Sequence, residues 1–268
     1  MIEKRDKTVI VTGGASGIGL EVALSLLQVG YNVLVVDNNQ LLIDTALENI
    51  SKDKLNSFFT LNADLTDWNS GAKIMHFCIS NKLNAFALIN NIGFRSDEDF
   101  ITETQVSWNN SISALVQSAF TVSRNFIIDN IYDKHLYIIN VGSITSRLIS
   151  DQSPAYHVAK SALEGLTRYL AVQAPKIRKS TSINYLALGF IVQKRYTEKF
   201  YAVKNENYMQ SAINHLPNQI PGNDTDVANV INFLISGSAD FINGACINLD
   251  GGATLREQFS LIWPKNAT

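Results

Sequence analysis

The feature of the sequence that most constrains the fold is a glycine-rich stretch that directly follows a short run of β-branched residues. Thr8–Thr12 reads Thr-Val-Ile-Val-Thr, a composition that predicts a buried strand. The glycine-rich residues 13–19 follow at once, and an apolar helical stripe then continues to Val29. Glycines between a strand and a helix let the backbone approach a pyrophosphate closely and aim the helix N-terminus at it. The stretch therefore predicts an α/β fold with a phosphate-binding turn after the first strand.

An acidic residue follows the next predicted strand, and it bears on which nucleotide the turn would hold. Residues 31–36 read as a strand that ends at Asp37, about 20 residues beyond the glycine-rich stretch. A carboxylate there can accept hydrogen bonds from the adenosine ribose hydroxyls and would repel a 2′-phosphate. Its neighbours Asn38 and Asn39 are neutral, and the turn itself contains no cation. We therefore predict NAD(H) in preference to NADP(H); the alternative is that Asp37 only starts a turn or caps the next helix.

A second stretch with chemical potential is Ser-Pro-Ala-Tyr-His-Val-Ala-Lys at residues 153–160. Tyr156 and Lys160 are four residues apart, which on a helix places them one turn apart on the same face. A free tyrosine loses its proton near pH ~10, and a neighbouring cation lowers that value. Ser143 adds a hydroxyl that can hold a carbonyl or alcohol oxygen at the same place. Such a tyrosine–lysine pair alone is usually an ordinary part of a helix, but together with a nucleotide-binding turn it is a candidate acid/base pair.

These motifs occur in an order and at a spacing typical of a known family. They are Thr-Gly-x-x-x-Gly-x-Gly at Thr12, Gly13, Gly17 and Gly19, Asn-Asn-x-Gly at Asn90, Asn91 and Gly93, the serine Ser143, and Tyr-x-x-x-Lys at Tyr156 and Lys160. On these residues the chain resembles the short-chain dehydrogenase/reductase family over roughly residues 7 to 253. The resemblance implies one Rossmann-like α/β domain over residues 1–268, with a doubly wound parallel sheet of about seven strands flanked by helices.

The resemblance also implies an NAD(H)-dependent oxidoreductase that interconverts a secondary alcohol and a ketone on a small organic substrate, such as a sugar or secondary metabolite. The implied catalytic residues are Ser143, which orients the oxygen, Tyr156, which is the acid/base, and Lys160, which holds the ribose and keeps the phenol acidic. The residues implied to bind the cofactor are Gly13, Ser16, Gly17, Ile18, Gly19, Asp37, Asp64, Leu65, Asn91, Gly93, Tyr156, Lys160, Gly189, Ile191 and Gln193.

Residues 194–221 correspond to the segment that usually forms a lid over the substrate in this family. Aromatic and basic side chains alternate there: Phe200, Tyr201 and Tyr208 among Lys194, Arg195, Lys199 and Lys204. This composition fits a ligand with an aromatic or anionic part, but it favours an amphipathic helix with a solvated basic face. By the same resemblance we expect a homodimer or homotetramer, with residues 105–130 and 154–174 at the interface.

Three positions depart from the family pattern. Leu115 stands seven residues after Trp108, where many members have an asparagine that helps a water chain connect the lysine to solvent. Ser111 and Ser118 lie one turn to either side and could replace it. The family's proline and threonine after the sixth strand are replaced by Leu188 and Gln193. These departures keep two alternatives open: a catalytically degenerate NAD-binding or scaffold protein, and a dehydratase or epimerase of the same family.

The composition limits the remaining function classes. The chain has 268 residues, a formal net charge of −2 and only 17% charged residues, so nucleic acid and anionic membranes are not expected partners. Cys78 and Cys246 fit no metal-ligand spacing, so no metal site is expected and a reduced environment is the simpler interpretation. The N-terminus lacks the apolar core of a signal peptide, and no window approaches the ~18 apolar residues of a membrane span. We therefore predict a cytoplasmic protein.

Overall fold

The protein forms a doubly wound α/β structure, as predicted. The computed structural model describes residues 4–194 and 206–257. Seven strands form one parallel sheet in the order β3-β2-β1-β4-β5-β6-β9. These strands are β1 (Thr8–Thr12), β2 (Asn32–Asp37), β3 (Phe58–Asn62), β4 (Ala85–Asn90), β5 (Leu136–Ser143), β6 (Thr181–Leu188) and β9 (Cys246–Leu249). Between β6 and β9 along the chain, β7 (Ile191–Val192) pairs in parallel with β8 (Gly222–Asn223).

Helices cover both faces of the sheet, which is why its central strands are buried along their whole length. The helices are α1 (Gly17–Gln28), α2 (Gln40–Glu48), α3 (Ser70–Ser80), α4 (Gln105–Ile112), α5 (Ser118–Ile128), α6 (Pro154–Ile177), α7 (Glu206–His215) and α8 (Asp224–Leu234). Helix α1 packs against α8, α3 packs against α5, and α6 lies on β5 and β6. Aliphatic side chains from the strands and from these helices form the main core.

The helical segment between β4 and β5 is not continuous. It is interrupted at Ser113–Gln117 by a π-helical turn, which separates α4 from α5. A π turn inserts one extra residue into the helical repeat and is frequent at functional sites. Leu115 lies in this turn, so the sequence position that departs from the family pattern coincides with the local irregularity.

The sheet order fixes where a ligand can bind. From β1 the chain runs outward through β2 to β3 and then crosses to β4 on the other side of β1, so the strand order reverses between β1 and β4. In such sheets the crevice lies outside the carboxyl ends of the strands at this crossing point. The glycine-rich turn, Asp37, Asn91 and Ser143 all stand at or directly after the carboxyl ends of their strands. The fold therefore collects most of the predicted site at one edge of the sheet.

Two further observations concern the sequence predictions. No helix within residues 4–194 and 206–257 is long and apolar enough to cross a membrane. Of the predicted lid, residues 195–205 lie outside the described residues, and with them Arg195, Lys199, Phe200, Tyr201 and Lys204. The described remainder contains α7 and the short strand β8.

Candidate active site

The glycine-rich turn requires glycine at several of its positions. Gly13 and Gly17 adopt φ values of +60° and +55°, in the left-handed region that other residues rarely occupy. A Cβ atom on Gly19 would lie 2.2 Å from the carbonyl oxygen of Gly13. Helix α1 therefore begins closely against the turn and points its N-terminus at the crevice, which is the arrangement that binds phosphate.

Hydrogen bonds between neighbouring strands hold the rim of this turn in place. The Thr12 hydroxyl donates to the carbonyl of Ile89 (3.3 Å) and accepts from the backbone N–H of Asn91 (3.1 Å). The Asn91 side chain donates to the carbonyl of Gly13 (3.2 Å). The asparagine motif after β4 is thus hydrogen-bonded to the glycine turn after β1.

A cleft of about 530 Å³ lies along this edge of the sheet. Its size falls within the usual range for small-molecule and cofactor sites. Ten of the predicted cofactor-binding residues line it: Gly13, Ser16, Gly17, Ile18, Asp37, Asp64, Leu65, Asn91, Gly93 and Gln193. Sequence reasoning missed Asn110 and Ala114, which line it from α4 and the π turn. The other five predicted residues are not part of its lining: Gly19, Tyr156, Lys160, Gly189 and Ile191. A Cβ on Gly189 would lie 2.6 Å from Asp250, so that position serves packing.

Asp37 presents a fixed carboxylate to the cleft. One of its oxygens accepts from the backbone N–H of Ala15 (3.2 Å) and the other from that of Asn39 (3.1 Å). Asp64, in the loop after β3, accepts from the backbone N–H and the hydroxyl of Thr66 (2.9 and 2.7 Å). Among the described residues that line the cleft, none is a lysine or arginine. The end of the cleft next to Asp37 is therefore unfavourable for a phosphate group.

The tyrosine and lysine come together inside the protein. Tyr156 is 6% exposed and Lys160 is 4% exposed, and the lysine Nζ lies 5.7 Å from the centroid of the tyrosine ring. Lys160 also donates to the carbonyl of Val141 (3.2 Å), which ties it to the end of β5. The Ser153 side chain caps α6 by accepting from the N–H of Tyr156 (3.3 Å), and Pro154 occupies the first turn.

Opposing effects act on the pKa of Tyr156. Burial raises it, whereas Lys160, Arg95 and a hydrogen bond from Ser143 lower it, and the net pKa is below the ordinary value for tyrosine. Burial also lowers the pKa of Lys160, although the neighbouring phenol opposes this change. The tyrosine is therefore a stronger acid than a free phenol, which is the property that proton transfer to a carbonyl oxygen requires.

Ser143 is held by a tyrosine that the sequence analysis did not single out. The backbone N–H of Ser143 donates to the hydroxyl of Tyr185 (3.0 Å), which also lies within hydrogen-bonding distance of the carbonyls of Ser143 (3.3 Å) and Lys160 (3.2 Å). Tyr185 is 1% exposed, and its ring fills the space beside Gly142, where a Cβ would lie 1.8 Å from the ring. One buried hydroxyl thus joins the strand that carries the serine to the helix that carries the lysine.

The sequence analysis also missed Arg95, which lies two residues beyond Gly93 in the loop after β4. Its guanidinium carbon lies 5.7 Å from the centroid of the Tyr156 ring. No local pattern marks a functional residue in an irregular loop, so only the three-dimensional structure brings it to the tyrosine.

Leu115 occupies the interior beside Tyr156. It is 2% exposed and packs in a small apolar cluster with Tyr156 and Ala159. Of its two proposed substitutes, Ser118 donates its hydroxyl to the carbonyl of Ala114 and is therefore engaged by the helix backbone. The hydroxyl of Ser111 is buried and has no hydrogen-bond partner among the described residues. Because buried polar atoms usually bind protein or water, only Ser111 keeps the capacity to hold an ordered water.

His157 contributes to the scaffold of the site. Its Nδ1 lies 3.1 Å from the carbonyl of Thr145, and its Nε2 lies 3.1 Å from that of Ser150. The imidazole therefore fastens the loop after β5 to α6, one residue beyond the tyrosine.

The chain is similar to known oxidoreductases over most of its length. Residues 13–254 match a protein-family model described as Enoyl-(Acyl carrier protein) reductase. The 3-oxoacyl-[acyl-carrier-protein] reductase FabG of Buchnera aphidicola subsp. Schizaphis graminum is 30% identical over 253 residues, which are 94% of this chain and 98% of the relative. The 2-dehydro-3-deoxy-D-gluconate 5-dehydrogenase of Dickeya dadantii is 27% identical over 252 residues, 92% of this chain and 94% of the relative.

Solved structures share the fold. A short chain dehydrogenase from Bacillus anthracis superposes with a TM-score of 0.83 at 21% identity, covering 98% of this chain and 100% of the other. L-sorbose reductase from Gluconobacter frateurii, complexed with NADPH and L-sorbose, gives a TM-score of 0.83 at 23% identity and covers 94% of this chain and 97% of the other. Since the family match and the 30% identical relative both extend over nearly the whole sequence, the chain belongs to the short-chain dehydrogenase/reductase family of oxidoreductases.

Proposed function

We propose that the protein is an NAD(H)-dependent oxidoreductase that interconverts a secondary alcohol and a ketone on a small organic substrate. The observation that supports this proposal most strongly is the buried pair of Tyr156 and Lys160 beside Ser143, next to the cleft at the carboxyl edge of the sheet. A protein that only bound a nucleotide would have no use for an acidified phenol at this place. The pairing is therefore best explained by proton transfer.

The side chains have separate parts in the proposed reaction. In the reductive direction the Tyr156 hydroxyl gives its proton to the substrate oxygen, and Lys160 and Ser143 stabilise the phenolate that is left. In the oxidative direction the phenolate takes the hydroxyl proton of the alcohol. Ser143 also orients the substrate oxygen by hydrogen bonding, because its hydroxyl is held near the phenol by the end of β5.

The residues of the cleft fit a dinucleotide. The turn at residues 13–19 and the N-terminus of α1 would hold the pyrophosphate, Asp37 the adenosine ribose, and Asp64 with Leu65 the adenine edge. Asn91, Gly93 and Lys160 would hold the nicotinamide ribose, and Gln193 has the donor and acceptor to bind the carboxamide. A nicotinamide cofactor bound there would donate hydride to the carbonyl carbon or accept it from the alcohol.

The preference for NAD(H) rests on this chain's own residues. The L-sorbose reductase relative was solved with NADPH, so the shared fold does not by itself decide between the two cofactors. Here the ribose position faces the carboxylate of Asp37, flanked by Asn38 and Asn39, and the lining described for the cleft offers no cation to a 2′-phosphate. We therefore retain NAD(H) as the preferred cofactor.

The names of the relatives suggest the substrate class. One relative reduces a 3-oxoacyl group carried on a protein, another is named for oxidation of a dehydro-deoxy-gluconate, and a third was solved with L-sorbose. All three substrates carry a ketone or a secondary alcohol within a carbon chain. A sugar, a sugar acid or an acyl ketone is accordingly the first class to test.

The proposal is tested by two linked measurements. NADH and NADPH are titrated separately by fluorescence, and the protein is then screened for turnover against carbonyls and alcohols by cofactor absorbance. Tighter NADH binding with oxidation or reduction of at least one compound supports the proposal. Tight binding without turnover of any compound would favour a degenerate binding protein, the alternative that the burial of Leu115 against Tyr156 keeps open. Conversion without net consumption of cofactor would indicate a dehydratase or an epimerase.

We also propose a homo-oligomer, a dimer or tetramer. Helix α6 exposes Val158, Tyr169 and Val172 at 43%, 60% and 61%, and their spacing of 11 and 3 residues places them along one face of the helix. Apolar side chains aligned on an exposed helix face are typical of an interface between subunits. Sedimentation equilibrium of the purified protein tests this, since a monomer at micromolar concentration would contradict it.

A further inference from the structure

Two cations, rather than one, approach the ring of Tyr156. The Nζ of Lys160 and the guanidinium carbon of Arg95 each lie 5.7 Å from the ring centroid. Lys160 reaches the tyrosine from the interior and is 4% exposed, whereas Arg95 belongs to the loop after β4 and is exposed. The tyrosine therefore lies between a buried cation and a cation in contact with solvent.

Within residues 4–194 and 206–257, Arg95 has no ionic partner other than the tyrosine it approaches. Among the described residues, no carboxylate lies within the 4.0 Å ion-pair distance of its guanidinium group. An exposed arginine without an ionic partner usually extends into water to keep its side-chain freedom. Its approach to a 6% exposed tyrosine is instead a specific contact of cation and aromatic ring.

The other charged and titratable groups near Tyr156 are few. On α6 they are Lys160 and His157, whose ring centroid lies 6.3 Å from that of the tyrosine. From the loop before α4, Glu103 accepts from the N–H of Ala155 (3.3 Å), at the start of α6. The apolar side of the ring is occupied by Leu115. Within the described structure, the two cations are thus the groups that can neutralise a negative charge on the phenol oxygen.

The two cations differ in how their charge depends on pH. Burial lowers the pKa of Lys160, so part of its charge is lost at a lower pH than for a lysine in water. A guanidinium group stays protonated at all pH values at which a protein is folded. A constant positive charge beside the phenol is therefore supplied by the arginine.

We propose that Arg95 is a positioning residue for the acid/base step: its guanidinium group stabilises the phenolate of Tyr156 from the solvent side, in addition to Lys160. The inference rests on the proposed function of Tyr156 and goes beyond it, because it assigns a second cation to the same phenol. It also gives the loop after β4 a direct part in the reaction.

The first test is a titration that needs no substrate. The near-ultraviolet absorbance of ionised tyrosine is recorded against pH for the whole protein, and the same curve for Tyr156→Phe is subtracted to isolate Tyr156. Arg95→Met removes the charge but keeps a chain of similar length, and we expect it to move the Tyr156 transition to higher pH. Arg95→Lys restores a cation, and we expect it to bring the Tyr156 transition most of the way back to the pH observed in the wild type. Arg124→Met, at an exposed arginine of α5 that does not act on Tyr156, is the matched control and should leave the curve unchanged.

The second test is the pH profile of an alcohol substrate identified in the screen. Oxidation requires the phenolate, so the increase of kcat/KM with pH should occur at higher pH in Arg95→Met than in the wild type. At pH 7 we expect kcat/KM of Arg95→Met to be lower than that of the wild type by on the order of threefold to tenfold, and Arg95→Lys to recover part of this loss. An unmoved Tyr156 titration curve in Arg95→Met overturns the inference. So does a change in KM alone, because it would assign the arginine to substrate binding. A shifted titration in a protein without any turnover supports the inference and contradicts the oxidoreductase proposal, so the two failures are distinguishable.

Discussion

The buried hydroxyl of Tyr185 offers a sharp test of how the site is held together. It accepts from the N–H of Ser143 (3.0 Å) and lies 3.2 Å from the carbonyl oxygen of Lys160. Replacing Tyr185 by phenylalanine removes this one oxygen and leaves the ring in its place beside Gly142. The substitution therefore changes a hydrogen-bonding network with little change in packing volume.

The magnitude follows from what the substitution leaves unpaired. The N–H of Ser143 becomes a buried donor without a partner, since Tyr185 is 1% exposed and water has no direct access. Such a group costs about 1–3 kcal/mol of folding free energy. The carbonyl of Lys160 loses less, because it lies within α6 and keeps its helical hydrogen bond. With about 2–4 °C per kcal/mol for domains near this size, Tm should fall by roughly 2–12 °C.

The assay combines thermal unfolding with steady-state kinetics. Tyr185→Phe should lower both Tm and kcat, because Ser143 is no longer fixed against α6, and should leave NADH affinity unchanged, because the cofactor cleft is lined by other residues. Ser51→Ala, which removes one exposed hydroxyl from the loop after α2, is the control and should change neither quantity. A Tyr185→Phe protein with the stability and kcat of the wild type would refute the reasoning.

Three further predictions concern the cofactor, the proton path and pH. The double variant Asp37→Ala/Asn38→Arg should change the ratio of the NADPH and NADH dissociation constants, measured by fluorescence titration, by roughly tenfold or more in favour of NADPH, which corresponds to about 1.4 kcal/mol. An unchanged ratio would contradict the role proposed for Asp37. If the hydroxyl of Ser111 holds water for the proton path, Ser111→Ala should lower turnover roughly threefold to tenfold, whereas the control Ser118→Ala should not lower it. Turnover of Ser111→Ala that equals the wild type at every pH would exclude Ser111 from the path. Burial raises the pKa of Tyr156 but the adjacent cations lower it more, so alcohol oxidation should rise with pH and level off below the ~10 of free tyrosine; a plateau reached only at that value would contradict the lowered pKa.

The fold and the cofactor cleft were largely predictable because their signals are local. A strand, a glycine-rich turn and a helix follow one another within about 20 residues, and Asp37 closes the next strand. The predicted sheet of about seven parallel strands is confirmed. The predicted strand Thr8–Thr12 coincides with β1, and the strand predicted at residues 31–36 is shifted by one residue in β2. The cytoplasmic location and the oligomeric state stay predictions.

The contacts that set the chemistry of Tyr156 were not predictable, because they join distant parts of the chain. Tyr185 meets Ser143 across 42 residues, and Arg95 meets Tyr156 from an irregular loop. Gly142 gave an indirect signal, since a glycine inside a strand often marks a close approach, but the sequence does not say what approaches it. The π turn at Leu115 lies where α4, α5 and α6 pack together, and no local sequence pattern marked it.

The most direct test of the central claim is the turnover of Tyr156→Phe with its cofactor bound. The variant keeps the ring packed against Leu115 and loses only the hydroxyl. We expect NADH affinity to be retained and kcat/KM to fall by about 10²–10⁴, the usual contribution of an acid/base group. A Tyr156→Phe protein that binds NADH and converts an identified substrate at the wild-type rate would contradict the account.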